Sequence, residues 1–134
     1  MSMGGAARTL LAFDFGRRFI GVAIGNTVTG DARPIERIAA EPVARRFERI
    51  TALIDEWAPD ALVVGLPLGR DGEEQPASVA ARRFARQLEG RYRRPVVLAD
   101  ERYSSLAAQA DGVSAAADDA DAAAIILRQY LHEE

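Results

Sequence analysis

Three groups of carboxylates stand where ordered elements begin or end. Asp14 closes the apolar run Leu10 to Asp14, Asp100 and Glu101 follow the run Val96 to Ala99, and Asp118, Asp119 and Asp121 open the last helical stretch. Parallel strands bring their carboxyl ends to one edge of a sheet, so acids this far apart in sequence can converge there. Converged carboxylates can hold divalent cations. Two ions roughly 4 Å apart need several acids to bind them and cancel their charge, with positions left open for a phosphate and an attacking water. An all-oxygen ligand set of this kind points to Mg²⁺ or Mn²⁺. The chain has no cysteine and one histidine, His132, which stands among acids and reads as a surface residue. Acids at strand ends and helix starts also serve as caps and turn formers, so residue type alone leaves both roles open.

Periodicity separates neighbours that residue type does not. Adjacent side chains of a strand point to opposite faces, so only one of Asp100 and Glu101 can face Asp14 if the strand persists that far. In the last helix Asp119 leads the row Ala122, Ala123, Ile126 and Tyr130, whereas Asp121 leads Ile125 and Arg128. The first row is the better packing face. That arrangement puts Asp119 at the sheet edge and leaves Asp118 and Asp121 as supporting or solvated acids, while whichever of Asp100 and Glu101 faces away takes the same supporting place.

The elements that must carry these acids can be read in order. Leu10 to Asp14 and Phe19 to Asn26 are apolar runs separated by Gly16, Arg17 and Arg18, which predicts a hairpin, and Ala32 to Ile38 predicts a third strand. From Pro42, placed in the first turn, Val43, Phe47, Ile50, Leu53, Ile54 and Trp57 recur at helical spacing, with Arg45, Arg46 and Arg49 between them. Pro59 ends that helix. Ala61 to Leu66 is apolar without alternation, as expected of a central strand covered on both faces. A loop from Pro67 to Pro76, readable as a flap or a plain connection, leads to a second helix that Gly90 is expected to close. Val96 to Ala99 forms the last strand, and helices are expected over Ser104 to Ala110 and Asp118 to Leu131, with a break at Gly112. A meander followed by crossovers gives an α/β fold: a mixed five-stranded sheet with helices on both faces.

The 134 residues suit a single domain spanning 1–134, and seventeen basic against twenty acidic side chains give a net charge of −3. Such a molecule binds a polyanion only through a local patch. No apolar run approaches the roughly 18 residues of a membrane span, and the first residues lack a signal-peptide layout, so a cytoplasmic protein without membrane attachment is expected.

Taken in order, Asp14-Phe15-Gly16, Ile20-Gly21-Val22-Ala23, Val63-Val64-Gly65-Leu66-Pro67 with Asp71-Gly72, Asp100-Glu101-Arg102 with Ser104-Ser105, and Asp119 with Ala122-Ala123 and Ile125-Ile126-Leu127 resemble the YqgF family. That family comprises Holliday junction resolvases also described as nucleases that mature precursor 16S ribosomal RNA. The resemblance runs from about Leu10 to Leu131. It implies an RNase H-like fold and a divalent-metal phosphodiesterase site whose catalytic and metal-binding residues are Asp14, Glu101 and Asp119. Phe19 departs from the pattern, standing where the family usually has arginine.

The partner implied is structured RNA, branched DNA or both, and a homodimer would suit a symmetric junction. Arg17 and Arg18 beside Asp14, and Arg102 beside Glu101, are placed for the scissile phosphate. Arg91, Arg93 and Arg94 form part of a run with seven arginines between Arg82 and Arg102, against Glu89, Asp100 and Glu101. Such a run can track a phosphate backbone or stand as solvated charge. Two other functions compete. A catalytically silent nucleic-acid-binding module would not need all three acids. A phosphotransferase of the actin-like or sugar-kinase type, which the Asp-x-Gly hairpin also resembles, would need a second lobe.

Overall fold

The computed structural model describes residues 7–101 and 119–133. Its elements are β1 (Thr9–Phe15), β2 (Phe19–Asn26), β3 (Asp31–Ala39), α1 (Val43–Trp57), β4 (Ala61–Leu66), α2 (Pro76–Tyr92), β5 (Val96–Asp100) and α3 (Asp119–Glu133). The strands form one mixed sheet in the order β3-β2-β1-β4-β5. β1, β2 and β3 are an antiparallel meander, while β4 runs parallel to both β1 and β5. The expected α/β fold is therefore present. β4 is interior, with all six residues buried, but the middle of the sheet belongs to β1 rather than β4. The helix expected over Ser104 to Ala110 lies outside the described residues, as do Arg102 and Asp118.

Alternation along the strands sorts the core into two layers. Leu11 and Phe13 of β1, with Leu62 and Val64 of β4, meet α1 and α2, and Phe13 sets its ring edge-on to Phe84 at 5.7 Å. Leu10, Ala12, Ala61 and Val63 point the other way, to Ile126 and Leu127 of α3. Each fully buried Leu or Phe side chain contributes about 1.5–3 kcal/mol, so both layers hold the sheet. The α3 side is built for close approach. β2 presents Gly21, Ala23 and Gly25 there; Ala23 packs on Ala123 and Ala124. A Cβ on Gly21 would lie 1.7 Å from the Asp119 carbonyl oxygen.

Several boundaries and faces differ from expectation. α2 does not stop at Gly90 but runs on to Tyr92, and Arg93 takes the left-handed conformation at φ 54°, its N–H bonding the Glu89 carbonyl. The Tyr92 hydroxyl, 2.8 Å from Thr51 Oγ, carries the helix past the glycine. Pro42 precedes the first turn of α1 as its N-cap. Arg46, which sequence spacing puts between the apolar positions, is buried. The buried stripe of α3 is Ala120, Ala123, Ala124, Ile126 and Leu127, so Asp119 and Ala122 flank that face rather than lead it. The connection 67–75 is pinned: Leu68 bridges Glu74, and the buried Ser78 hydroxyl donates to the Pro67 carbonyl.

Candidate active site at the carboxyl edge of the sheet

β1, β4 and β5 all end at one edge. Asp14 is the penultimate residue of β1 and alternates with Leu10 and Ala12, which sets it on the α3 face. Glu101 follows β5 directly, and its N–H reaches the Leu66 carbonyl at 3.1 Å, so the ladder continues through it. Ala99 packs in the α3-side layer, and two residues on Glu101 shares that face. Asp100, of opposite parity, is exposed.

Gly65 of β4 leaves the space between Asp14 and Glu101 open. A Cβ there would stand 2.7 Å from Glu101 Oε2 and 2.8 Å from Ile126 Cδ1. Asp119 enters from the other side. It opens α3 with its carbonyl against Gly21, the residue paired with Asp14 across β1 and β2.

The electrostatics follow from this crowding. Burial, and then the charge of Asp119, push the Asp14 carboxyl up to about 6. Burial, and then Asp14 and Asp100, push Glu101 up to about 8. Asp14 is thus the link between the other two acids. Among the described residues no three Asp, Glu or His side chains group around a single point as ligands of one ion; the coupling is pairwise through Asp14. Oxygen donors that repel one another in a half-buried cleft fit a hard divalent cation, whose charge relieves the repulsion.

The remaining residues singled out in the sequence are placed as follows. Arg17 and Arg18 are exposed in the tight turn between β1 and β2, at the acid edge. Asp121 is half-buried and lies beyond the buried stripe of α3. Arg91, Arg93 and Arg94 belong to the last turn of α2 and the residues that follow it. Arg91 stacks on Phe47 at 3.8 Å, Arg93 ends the helix, and Arg94 Nε donates to the Pro59 carbonyl at 2.8 Å, just before β4 begins. His132 is exposed, with Nε2 2.9 Å from the Gly30 carbonyl oxygen. Gly21 and Gly65, quoted in the sequence only as parts of motifs, are the residues that let α3 and Glu101 approach Asp14.

A meander continued by parallel strands, with acids where the parallel strands end, is the RNase H-like arrangement of phosphodiester-cleaving enzymes. The solved structures agree on the fold. Thermus thermophilus RuvC in complex with Holliday junction substrate superposes with a TM-score of 0.59 at 19% identity, covering 94% of each chain. Archaeoglobus fulgidus Pelota gives a TM-score of 0.53 at 11% identity, covering 94% of this chain and 34% of that one. The family model described as RuvX, Holliday junction resolvase, matches residues 8–133, and the chain belongs to that family. A Bordetella parapertussis protein named "Putative pre-16S rRNA nuclease" is 60% identical over 123 residues, 92% of each chain. A Ralstonia pickettii protein of the same name is 54% identical over 125 residues, 93% of this chain and 87% of that one.

Proposed function

We propose that this chain is a divalent-metal-dependent endonuclease that cuts phosphodiester bonds in structured nucleic acid, with precursor 16S ribosomal RNA, a four-way DNA junction or both as substrate. The observation that carries the reading is the meeting of Asp14, Glu101 and the start of α3 on one face at the carboxyl edge, with two of the acids pushed far above their ordinary range. Asp14, Glu101 and Asp119 are the residues that would hold Mg²⁺ or Mn²⁺, and pairwise coupling through Asp14 suits two ions rather than one. Such cations supply positive charge that offsets the phosphate's and acidify water for in-line attack.

The chain's own residues do the rest. Asp14 and Glu101 would hold a cation as carboxylates, so each would give up the proton that burial and the neighbouring acids keep on it. Gly65 keeps the space between them clear. Arg17 and Arg18 offer forked donors to phosphate oxygens at the same edge. Asp100 and Asp121 act from outside the cleft through the local field, as Asp100 does on Glu101.

No helix among the described residues is long and apolar enough to cross a membrane. A cytoplasmic enzyme working as one domain, and as a homodimer on a symmetric junction, completes the proposal. Incubating the pure protein with end-labelled junction DNA and precursor RNA, with and without Mg²⁺ or Mn²⁺, tests it. Cleavage of at least one substrate only with metal is expected, and cleavage of neither overturns it.

A further inference from the structure

The face of the sheet opposite the acids carries a second feature at the same edge. β3 ends there, so α1 begins there, and α2 begins there after β4. Between the two helix starts lies a groove of about 350 Å³, lined by Phe15, Val43, Arg46, Val79, Arg83 and Phe84 among others. Neither helix has an acid in its first turn, and α1 has no side-chain cap on its leading N–H groups. The Gln75–Ser78 capping pair closes the first turn of α2, so the start of α1 is the one whose leading N–H groups have no side-chain partner and whose positive dipole end faces the groove.

Arg46 distinguishes this groove from an ordinary pair of helix ends. It is 7% exposed, and its guanidinium lies among three rings, 5.1 Å from Phe15, 5.5 Å from Phe47 and 5.9 Å from Phe84. Its Nε donates to the Ala40 carbonyl at 3.0 Å, while its terminal nitrogens have no hydrogen-bond partner among the described residues. Glu41, beside α1, is the acid whose charge acts on it. Those nitrogens are not sealed from water, so they stand as charged donors that an anion entering the groove can engage. Arg83, exposed on the opposite wall, adds a second fork.

We propose that this groove binds a backbone phosphate of the substrate strand, next to the scissile one, on the side of the sheet away from the metal ligands. Phe15 directly follows Asp14, and adjacent strand residues face opposite ways, so one strand crossing the edge passes from the acids to the groove. The inference rests on the nuclease reading and adds a positioning site to it. Arg46 and Arg83 set where the strand lies and take no part in bond cleavage.

The test measures binding of a labelled oligonucleotide that contains the cut site, in excess chelator, as a function of salt. Arg83→Glu and Arg46→Met are expected to weaken binding roughly tenfold and to lower the salt slope by about one. Arg86→Glu, one turn away from Arg83 and outside the groove, sets the effect of charge alone and is expected to change binding less. A neutral methylphosphonate at one position beside the cut should weaken the wild type and leave the two groove variants unchanged. A urea midpoint shows whether Arg46→Met folds, and the exposed Arg83 carries the test if it does not.

Wild-type affinity and slope in Arg83→Glu, or a loss no larger than in Arg86→Glu, overturn the proposal. A mononucleotide that stabilises the wild type but not Arg83→Glu, with oligonucleotide binding unchanged, assigns the groove to a free phosphate ligand and overturns the strand assignment. Absence of any cleavage with metal by a wild type that still shows the Arg83 effect sinks the nuclease reading and leaves the groove standing.

Discussion

At the scale of single residues, the site is a problem of charge. Asp14 and Glu101 are buried beside each other and beside further acids, so both hold their protons more tightly in the folded chain than in the unfolded one. Their neutral forms favour folding. In the metal-free protein the stabilisation is full below the unfolded values, 3.8 and 4.5, and is lost as pH rises through about 6 and about 8. The unfolding free energy from urea titrations in chelator should therefore fall between pH 5 and pH 8 by on the order of a few kcal/mol, and the urea midpoint with it. Saturating Mg²⁺ should remove most of that fall, whereas Asp14→Asn should remove only part of it, because the burial of Glu101 remains. A midpoint that rises over this range would show that the fold does not hold the two carboxyls in their protonated forms.

Loss of a ligand and loss of a neighbouring acid differ in size. Glu101→Gln and Asp119→Asn should lower cleavage roughly a thousandfold or more, and Asp100→Asn and Asp121→Asn about 10- to 100-fold. Single-turnover rates decide between them. Strand alternation makes Asp100 and Glu101 alternatives, and the family motif is what selects Glu101 between them. The shared space at Gly65 was not legible in the sequence, because it depends on which strand lies between Asp14 and Glu101.

At the scale of elements, close approach is the governing constraint. Gly21→Ala sets a methyl group into the main chain of Asp119, and backbone at a helix start cannot turn aside as a side chain can. About 1–3 kcal/mol or more of stability should be lost, with cleavage falling as α3 moves off β2. Gly65→Ala meets only the ends of the Glu101 and Ile126 side chains, so it should cost activity more than stability. Gly90→Ala is the contrasting case: nothing lies within 4 Å of the added carbon and the residue is helical, so about 0.5–1 kcal/mol of stabilisation is expected. Thermal midpoints of the three variants check the order.

These glycines also mark the limit of the sequence reading. Strand and helix periods located every described element, because buried runs and amphipathic spacing are local. The end of α2 was misplaced because a tertiary contact, Tyr92 with Thr51, outlasts the local signal of Gly90. The packing face of α3 was turned because Ala120, Ala122, Ala123 and Ala124 are alike in size, so the tract itself does not say which alanines meet β2. The burial of Arg46 is not legible in spacing, which sets it between the apolar positions of α1 without showing the three phenylalanines around it.

At the scale of the whole molecule, the charge is arranged rather than large. A net charge of −3 does not draw nucleic acid by itself. The acids lie at one edge with Arg17 and Arg18, while Arg91 is stacked on Phe47 and Arg94 is hydrogen-bonded to the Pro59 carbonyl. On the proposed reading, substrate grip near the cut falls to the turn after β1 and to the groove between α1 and α2. Membership of the RuvX family agrees with a fold that brings its acids to the strand ends.

The most direct measurement is the cleavage rate of labelled four-way junction and precursor RNA by the wild type and by Asp14→Asn, each with Mg²⁺ or Mn²⁺ and again in excess chelator. The wild type should cut with metal and fall silent in chelator, while Asp14→Asn, with an unchanged circular dichroism spectrum, should be silent in both. Undiminished cutting in chelator, or a wild-type rate in Asp14→Asn, would contradict a metal-dependent site built on Asp14.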